Sequence, residues 1–432
     1  MRFEYEYVSD EMAAAYAEAA RTGINDRWGL TSNEQSWVKY QPYLLEQGYQ
    51  LRPRYRPGWV RSWEGTKRNP RVHEDSLTIR SFRIMDAVRE KDGKRVIIKA
   101  FDTRITSSEL NILQYLSEDA IQANPSNHCT CALDSFPVPD RDGWMFVVMD
   151  TYYSISIIPF ETVGEVVELI RQLLEGLAFM HSLNLAHRDC ASPNIMMKAD
   201  TLFKSTPHPH PNYSFLTEDG RDYMGFHPRR KHSVKYYFID FGLATLFPSY
   251  AERTLVVGAE GRERDIPELS TPDVPYDPFK LDVCIIGRFL SRDFYEKSSR
   301  SLYFLEPLVK RLVDINPARR PTADEAFADF EMIRGALEPR ILARALNPNF
   351  FQRAIYSLSD GLHWTLNCFG KAFFAQKYGD CRTYPESWAW NLAILAAHQK
   401  RLPRVSALYE GPKILGALQD LLLSASAPER SV

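Results

Sequence analysis

Val166, Ile170, Leu173, Leu174, Leu177 and Met180 recur at spacings of three and four, which predicts a helix over 161–183 buried along one side. Upstream the period shortens. The stretches LTIRSFRIMDAVRE, RVIIKAFD and WMFVVMD are rich in β-branched and aromatic residues and are punctuated by a turn at Asp92-Gly93. They predict strands across 77–150, with one helix, 107–117, among them. A helix over 10–21 opens on Ser9 or Asp10 as its cap, and the segments 279–295 and 302–335 read as helical. A β-rich segment thus precedes a helical one, an α+β arrangement. Residues 338–432 hold further helical stretches, 388–399 and 414–423, with Trp364, Trp388 and Trp390 available for a small core or for docking.

Composition narrows the classes. With 53 Lys and Arg against 55 Asp and Glu, the net charge of −2 excludes a strongly basic nucleic-acid binder, and 44% apolar residues exclude an acidic disordered chain. The 432 residues allow two to four domain-sized units at roughly 100–200 residues each. Of the six cysteines, Cys129 and Cys131 stand two apart and the others are scattered, so there is no zinc spacing and no disulfide scaffold. The first residues, MRFEYEYVSDEM, are acidic where a secretory signal is basic and then apolar, and no run approaches ~18 uninterrupted apolar residues. The expectation is a soluble intracellular, cytoplasmic protein without membrane contact. The helix at 414–423 lacks the Lys/Arg-rich face of a membrane-surface helix.

The stretch 51–71 holds seven Lys or Arg against one Glu, with prolines at 53, 57 and 70, so it is expected to be extended. Its arginines alternate with Tyr55, Trp59 and Trp63, a pattern that can stack on nucleic-acid bases. The balanced charge of the chain argues instead for an arm whose aromatics dock on the next domain while its charges face water.

Chemistry concentrates further on. Residues 187–194 read HRDCASPN, residues 240–242 read DFG, and a lysine, Lys99, ends an upstream V-I-I-K. After them come Pro267-Glu268 behind Arg264-Asp265-Ile266, then DVCIIG from Asp282, then N-P-x-x-R-P-T from Asn316. In this order the motifs resemble those of protein kinases, over about 77–337, roughly 60% of the chain. The resemblance implies a two-lobed protein kinase fold with a β-rich small lobe, 76–150, and a helical large lobe, 151–337. An N-terminal arm, 1–75, and a helical C-terminal extension, 338–432, flank it.

It also implies roles. Phosphoryl transfer asks a protein for positioning and charge neutralisation more than for covalent chemistry. Lys99 would hold the α and β phosphates of ATP, with Glu109 as its acidic partner, while Met149 and Asp150 line the nucleotide site. Asp240 and Asn194 would hold magnesium, and Asp189 would accept or orient the hydroxyl of a protein substrate. Glu109 has a rival local role, because Thr106-x-x-Glu109 is also a capping box. Asp282 is expected to support the catalytic loop and Arg320 to pair with Glu268. Arg188 is expected to meet a phosphate on Thr245, Ser249, Tyr250 or Thr254, with Thr254 leading, or else Glu252 or Glu260.

Three features depart from the family. Residues 76–90 carry no glycine where a phosphate-covering G-x-G-x-x-G is expected. Nothing basic stands between Asp189 and Asn194, which leaves charge uncompensated unless an arginine such as Arg262 or Arg264 substitutes. Asn194 and Asp240 lie 46 residues apart, where a hairpin needs about 12–15, so an insertion spans about 200–235. It contains His208-Pro-His210 and Arg229-Arg230-Lys231-His232, and reads as a solvated loop rather than a metal site. The insertion and the arm together resemble a kinase-like group of mushroom-forming fungi. The expected activity is ATP-dependent phosphorylation of a protein hydroxyl. The rival is a pseudokinase, a binding or scaffold module on the same fold. A small-molecule phosphotransferase is disfavoured by Arg188 and Pro267-Glu268. Oligomeric state and the Ser/Thr or Tyr preference are open.

Overall fold

Ser9 accepts from the Met12 N–H and opens α1 (Asp10–Thr22), as its sequence predicts. Thr31 and Glu34 form a reciprocal capping box at the start of α2 (Ser32–Glu46). Trp37, Tyr40 and Leu44, spaced three and four, form its buried stripe. The computed structural model describes residues 7–79 and 81–347. The expected helices 388–399 and 414–423 and the three C-terminal tryptophans lie outside them.

The strands that follow are β1 (Tyr49–Gln50), β2 (Ile84–Arg89) and β3 (Lys94–Asp102). Helices α3 (Thr103–Tyr115) and α4 (Asp119–Gln122) come next, then β4 (Asp134–Pro137) and β5 (Trp144–Asp150). These strands form an antiparallel sheet in the order β1-β2-β3-β5-β4. The β2–β3 turn passes through Gly93 at φ 68°, a conformation that glycine adopts without steric cost. The pleat gives the sheet two faces. Met85, Ala87, Val96, Ile98, Ala100, Phe146 and Val148 pack on α2 and on Leu51, Tyr55 and Ile79. Lys99 lies on the other face, paired in register with Ile84 and Val147.

Beyond β6 (Tyr153–Ser154), the predicted helix appears as α5 (Val163–Ser182), with a capping box from Thr162 and Glu165. Short strands β7 (Leu185–Ala186), β8 (Ile195–Lys198), β9 (Lys235–Phe238) and β10 (Thr245–Leu246) come next. They pair as β6-β8-β9 and as β7-β10. The helices α6 (Pro278–Phe289), α7 (Glu296–Ser298), α8 (Glu306–Leu312), α9 (Ala323–Gly335) and α10 (Pro339–Leu342) complete the described chain. Gly287 permits the close α6–α8 contact, since a Cβ there would lie 2.5 Å from the Leu312 Cβ.

Several expectations change. The strand expected from 77 begins only at Ile84, because residues 51–83 leave the sheet at β1 and return. The helix expected from 107 starts at Thr103, where Asp102 accepts from the Arg104 N–H. The run 302–335 breaks around Pro317 and Pro321, since proline supplies no amide donor. The arm's charges do not all face water. The fully buried Arg54 donates to both Glu34 oxygens at 2.9 and 3.0 Å and to the carbonyls of Trp28, Gly29 and Asp75. Arg52 makes two bonds to Asp86, at 2.7 and 3.1 Å, and pairs with Glu74. A buried guanidinium is tolerated when its donors are matched in this way. The insertion is packed too: His208 and His210 are buried, and His208 Nε2 donates to Glu74 at 3.2 Å. Tyr213 donates to the Thr78 carbonyl at 2.8 Å, and Arg95 pairs with Glu218. Residues 207–218 thereby clasp the returning arm and the start of β3, the central strand.

Candidate functional site

Lys99 interrupts the apolar run of β3 on the face turned away from α2, and its ammonium lies 4.8 Å from the Phe101 ring centroid. Its Nζ donates to Glu109 Oε1 at 2.6 Å and to Asp240 Oδ1 at 2.9 Å. Glu109 therefore serves Lys99, and no capping box forms at Thr106, whose hydroxyl donates to the Asp102 carbonyl instead. Burial would pull the Lys99 ammonium down, yet the Glu109 and Asp240 carboxylates outweigh it and hold it above the usual lysine range. Burial pushes the Glu109 carboxyl up in spite of Lys99. Burial acts the same way on Asp240, but there Lys99 prevails, with help from His187 and Arg262, and the carboxyl is held low.

Asp240 sits at φ 65° and ψ 73°, a left-handed conformation that a non-glycine residue keeps only where its surroundings impose it. His187 contributes to that constraint: its Nε2 meets the Ile239 carbonyl at 3.1 Å, and its ring lies 4.9 Å from that of Phe241. His187 and Arg188 are fixed in turn by the fully buried Asp282, which accepts from their backbone N–H groups at 2.7 and 2.6 Å. Asp282 thus takes the supporting place expected of it, and Arg320 donates to Glu268 at 3.1 Å.

On this loop Asn194 donates through Nδ2 to both the carbonyl and Oδ2 of Asp189, each at 2.8 Å. The other oxygen of Asp189 accepts from the Arg262 N–H at 3.0 Å, and Arg262 Nε stands 3.7 Å from Oδ2. Arg262 is the member of this constellation that spacing along the chain did not single out over Arg264. The absence of a basic residue in 190–193 was the signal that some arginine was needed.

Two nucleotide-site candidates stand apart from the Lys99 cluster. Met149 opposes Ile97 on the Lys99 face, whereas the Asp150 carboxylate pairs with Lys198 at 3.0 Å. Arg188, at φ 65°, forms no salt bridge with Glu252, which accepts from the Ser249 hydroxyl, or with Glu260, whose carboxylate lies with the Arg188 Nη2 beside Gly258. It donates to the Tyr276 hydroxyl at 2.9 and 3.2 Å, to the carbonyls of Val257 and Leu243, and to Thr245 Oγ1 at 3.5 Å. Among the described residues no three His, Cys, Asp or Glu side chains gather as a metal site. Nor, among them, is any helix long and apolar enough to cross a membrane.

The chain is 28% identical over 129 residues to the serine/threonine-protein kinase oca2 of Schizosaccharomyces pombe (strain 972 / ATCC 24843). The matched stretch covers 29% of this chain and only 19% of that protein. The likeness to that kinase is distant and partial. No protein-family profile matches the chain.

Proposed function

We propose that this chain is a protein kinase of two-lobed fold that transfers the γ-phosphate of ATP to a protein hydroxyl. The small lobe is 76–150, to which the arm adds β1, and the large lobe is 151–337. The observation that carries the reading is the meeting of Lys99, Glu109 and Asp240 within 2.9 Å bonds, while the Asp189–Asn194 pair is held by the same His187–Asp282 support. The residues present fit magnesium. Asp240 keeps a carboxylate side chain 45% exposed, and Asn194 spends its NH2 on Asp189, which leaves its amide oxygen for a cation. Two protein oxygens completed by phosphates and water match the way magnesium is usually held. Magnesium, when bound, neutralises phosphate charge. Lys99 then grips phosphate oxygens, and Asp189 accepts the proton as the hydroxyl oxygen attacks phosphorus.

A second reading, the pseudokinase, is favoured by one feature. Asp86 and Val88 share the sheet face of Ile97 and Lys99, and the Arg52–Asp86–Glu74 cluster, clasped by 207–218, occupies that face in place of a glycine-rich turn. Titration of the purified protein with ATP, with and without magnesium, followed by turnover on a peptide library, separates the two. The kinase reading expects magnesium-dependent binding with transfer; binding without transfer supports the scaffold.

A further inference from the structure

We propose that Arg262 supplies the cation facing the transferring phosphoryl group, in the place of the Lys or Arg missing between Asp189 and Asn194. This rests on the kinase reading above and adds a catalytic residue to it. As the hydroxyl oxygen forms its bond to phosphorus and the bond to the bridging β–γ oxygen breaks, negative charge spreads over the phosphoryl oxygens. The proton passes to Asp189, and the nucleoside diphosphate leaves with the bridging electron pair. A guanidinium at that point is a strong stabiliser of such charge.

Two other cations near the loop are committed. Lys99 is bonded to two carboxylates on the nucleotide side, and Arg188 spends its donors on Tyr276, Leu243, Val257 and Thr245. Residues 190–193, Cys-Ala-Ser-Pro, hold none. Arg262 is tied to Asp189 by its backbone, so its position is set without using its side chain. The guanidinium is 55% exposed, and its Nε lies 3.7 Å from Asp189 Oδ2, beyond hydrogen-bond length. It is an ion pair whose donors remain for an incoming oxyanion. Gly261 makes the approach practicable. Its φ of 131° is a region that L side chains rarely adopt, so glycine lets the main chain turn onto the Asp189 carboxylate, from which a Cβ would lie at an ordinary contact distance of 3.7 Å.

The test compares wild type, Arg262→Ala and Arg262→Lys in the full chain for magnesium-ATP affinity, kcat and thermal stability, with methylguanidinium added as a rescue agent. Arg262→Ala should lose about 100- to 1,000-fold in kcat while nucleotide affinity stays within about threefold. Arg262→Lys should fall between, since an ammonium keeps the charge without the planar fork. Methylguanidinium should raise the kcat of Arg262→Ala by about tenfold or more and leave wild type unchanged, a response that a purely structural role would not produce. If wild type transfers phosphate and Arg262→Ala matches it, or its loss is not rescued, the assignment falls and the kinase reading stands. If wild type transfers nothing, the kinase reading falls and takes the assignment with it.

Discussion

Lys99 is the residue at which burial and charge compete most sharply. Its ammonium balances Glu109, whose carboxyl burial already pushes up, and Asp240, which it holds low. Replacing it with methionine removes the phosphate grip and leaves Glu109 free to protonate in its buried site. Lys99→Met should therefore lose most of the thermal stabilisation that saturating magnesium-ATP gives wild type, which at 100 times Kd is about 2.7 kcal/mol. Differential scanning fluorimetry reads this directly, and a folded variant with undiminished stabilisation would place the nucleotide elsewhere. Arg188 leads to a second prediction. Its donors are already met by Tyr276 and backbone carbonyls, so order in this segment does not wait for a phosphate. The exposed Thr254 makes no contact with Arg188, and Thr254→Ala should leave transfer unchanged. Tyr276→Phe strands two guanidinium donors, at a cost of about 1–3 kcal/mol, and should lower both Tm and activity. Loss of activity in Thr254→Ala, with phosphate found at that position in wild type, would restore the switch. At this scale the motif residues were legible because residue type and order carry the signal. The choice of Arg262 over Arg264 was not, since a contact across 73 positions leaves no periodicity to read.

Among the elements, the arm and the insertion departed furthest from expectation. Runs of arginine normally mark solvated chain, but Arg52 and Arg54 found carboxylates and carbonyls inside, and that matching depends on contacts remote in sequence. Helix α2 was passed over because Pro42 and scattered polar residues blur its stripe, although Trp37, Tyr40 and Leu44 anchor the sheet. The clasp should respond to acid in two windows. Burial pulls the His210 imidazole down to about 4 from an ordinary 6.5. Across that window the unfolded chain binds a proton that the folded chain refuses, so stability falls as pH falls, by up to about 3 kcal/mol. Burial would raise Glu74, but the His208 hydrogen bond and Arg52 hold it at about 2 against an ordinary 4.5. Its contribution is complete above 4.5 and is lost as pH drops toward 2. His210→Asn keeps a side chain able to accept from the Asn212 N–H and should flatten the upper window alone. Urea denaturation between pH 7 and pH 4 checks it; an unchanged slope in His210→Asn would show that the imidazole titrates freely in the folded state.

Across the molecule, the α+β order of a β-rich part followed by a helical one was readable from the change of hydrophobic period near 161, where α5 begins. The sheet order was not, because β1 contributes only two residues and is separated from β2 by 33 residues. That excursion separates the two proposed readings: the Lys99–Asp240 and Asn194–Asp189 bonds favour transfer, while the clasp on the face of Lys99 and the missing glycines favour the scaffold. On the proposed kinase reading the balance is decided by chemistry at Asp189, whose carboxylate accepts from the Asn194 amide and the Arg262 N–H and stands 3.7 Å from the Arg262 Nε. The most direct measurement is transfer of the γ-phosphate from magnesium-ATP to peptide hydroxyls by wild type and Asp189→Asn, alongside nucleotide affinity for both. The account predicts transfer by wild type, and in Asp189→Asn a loss of at least about 100-fold with affinity nearly unchanged. Wild-type protein that binds magnesium-ATP yet transfers no phosphate, or an Asp189→Asn variant as active as wild type, would contradict it.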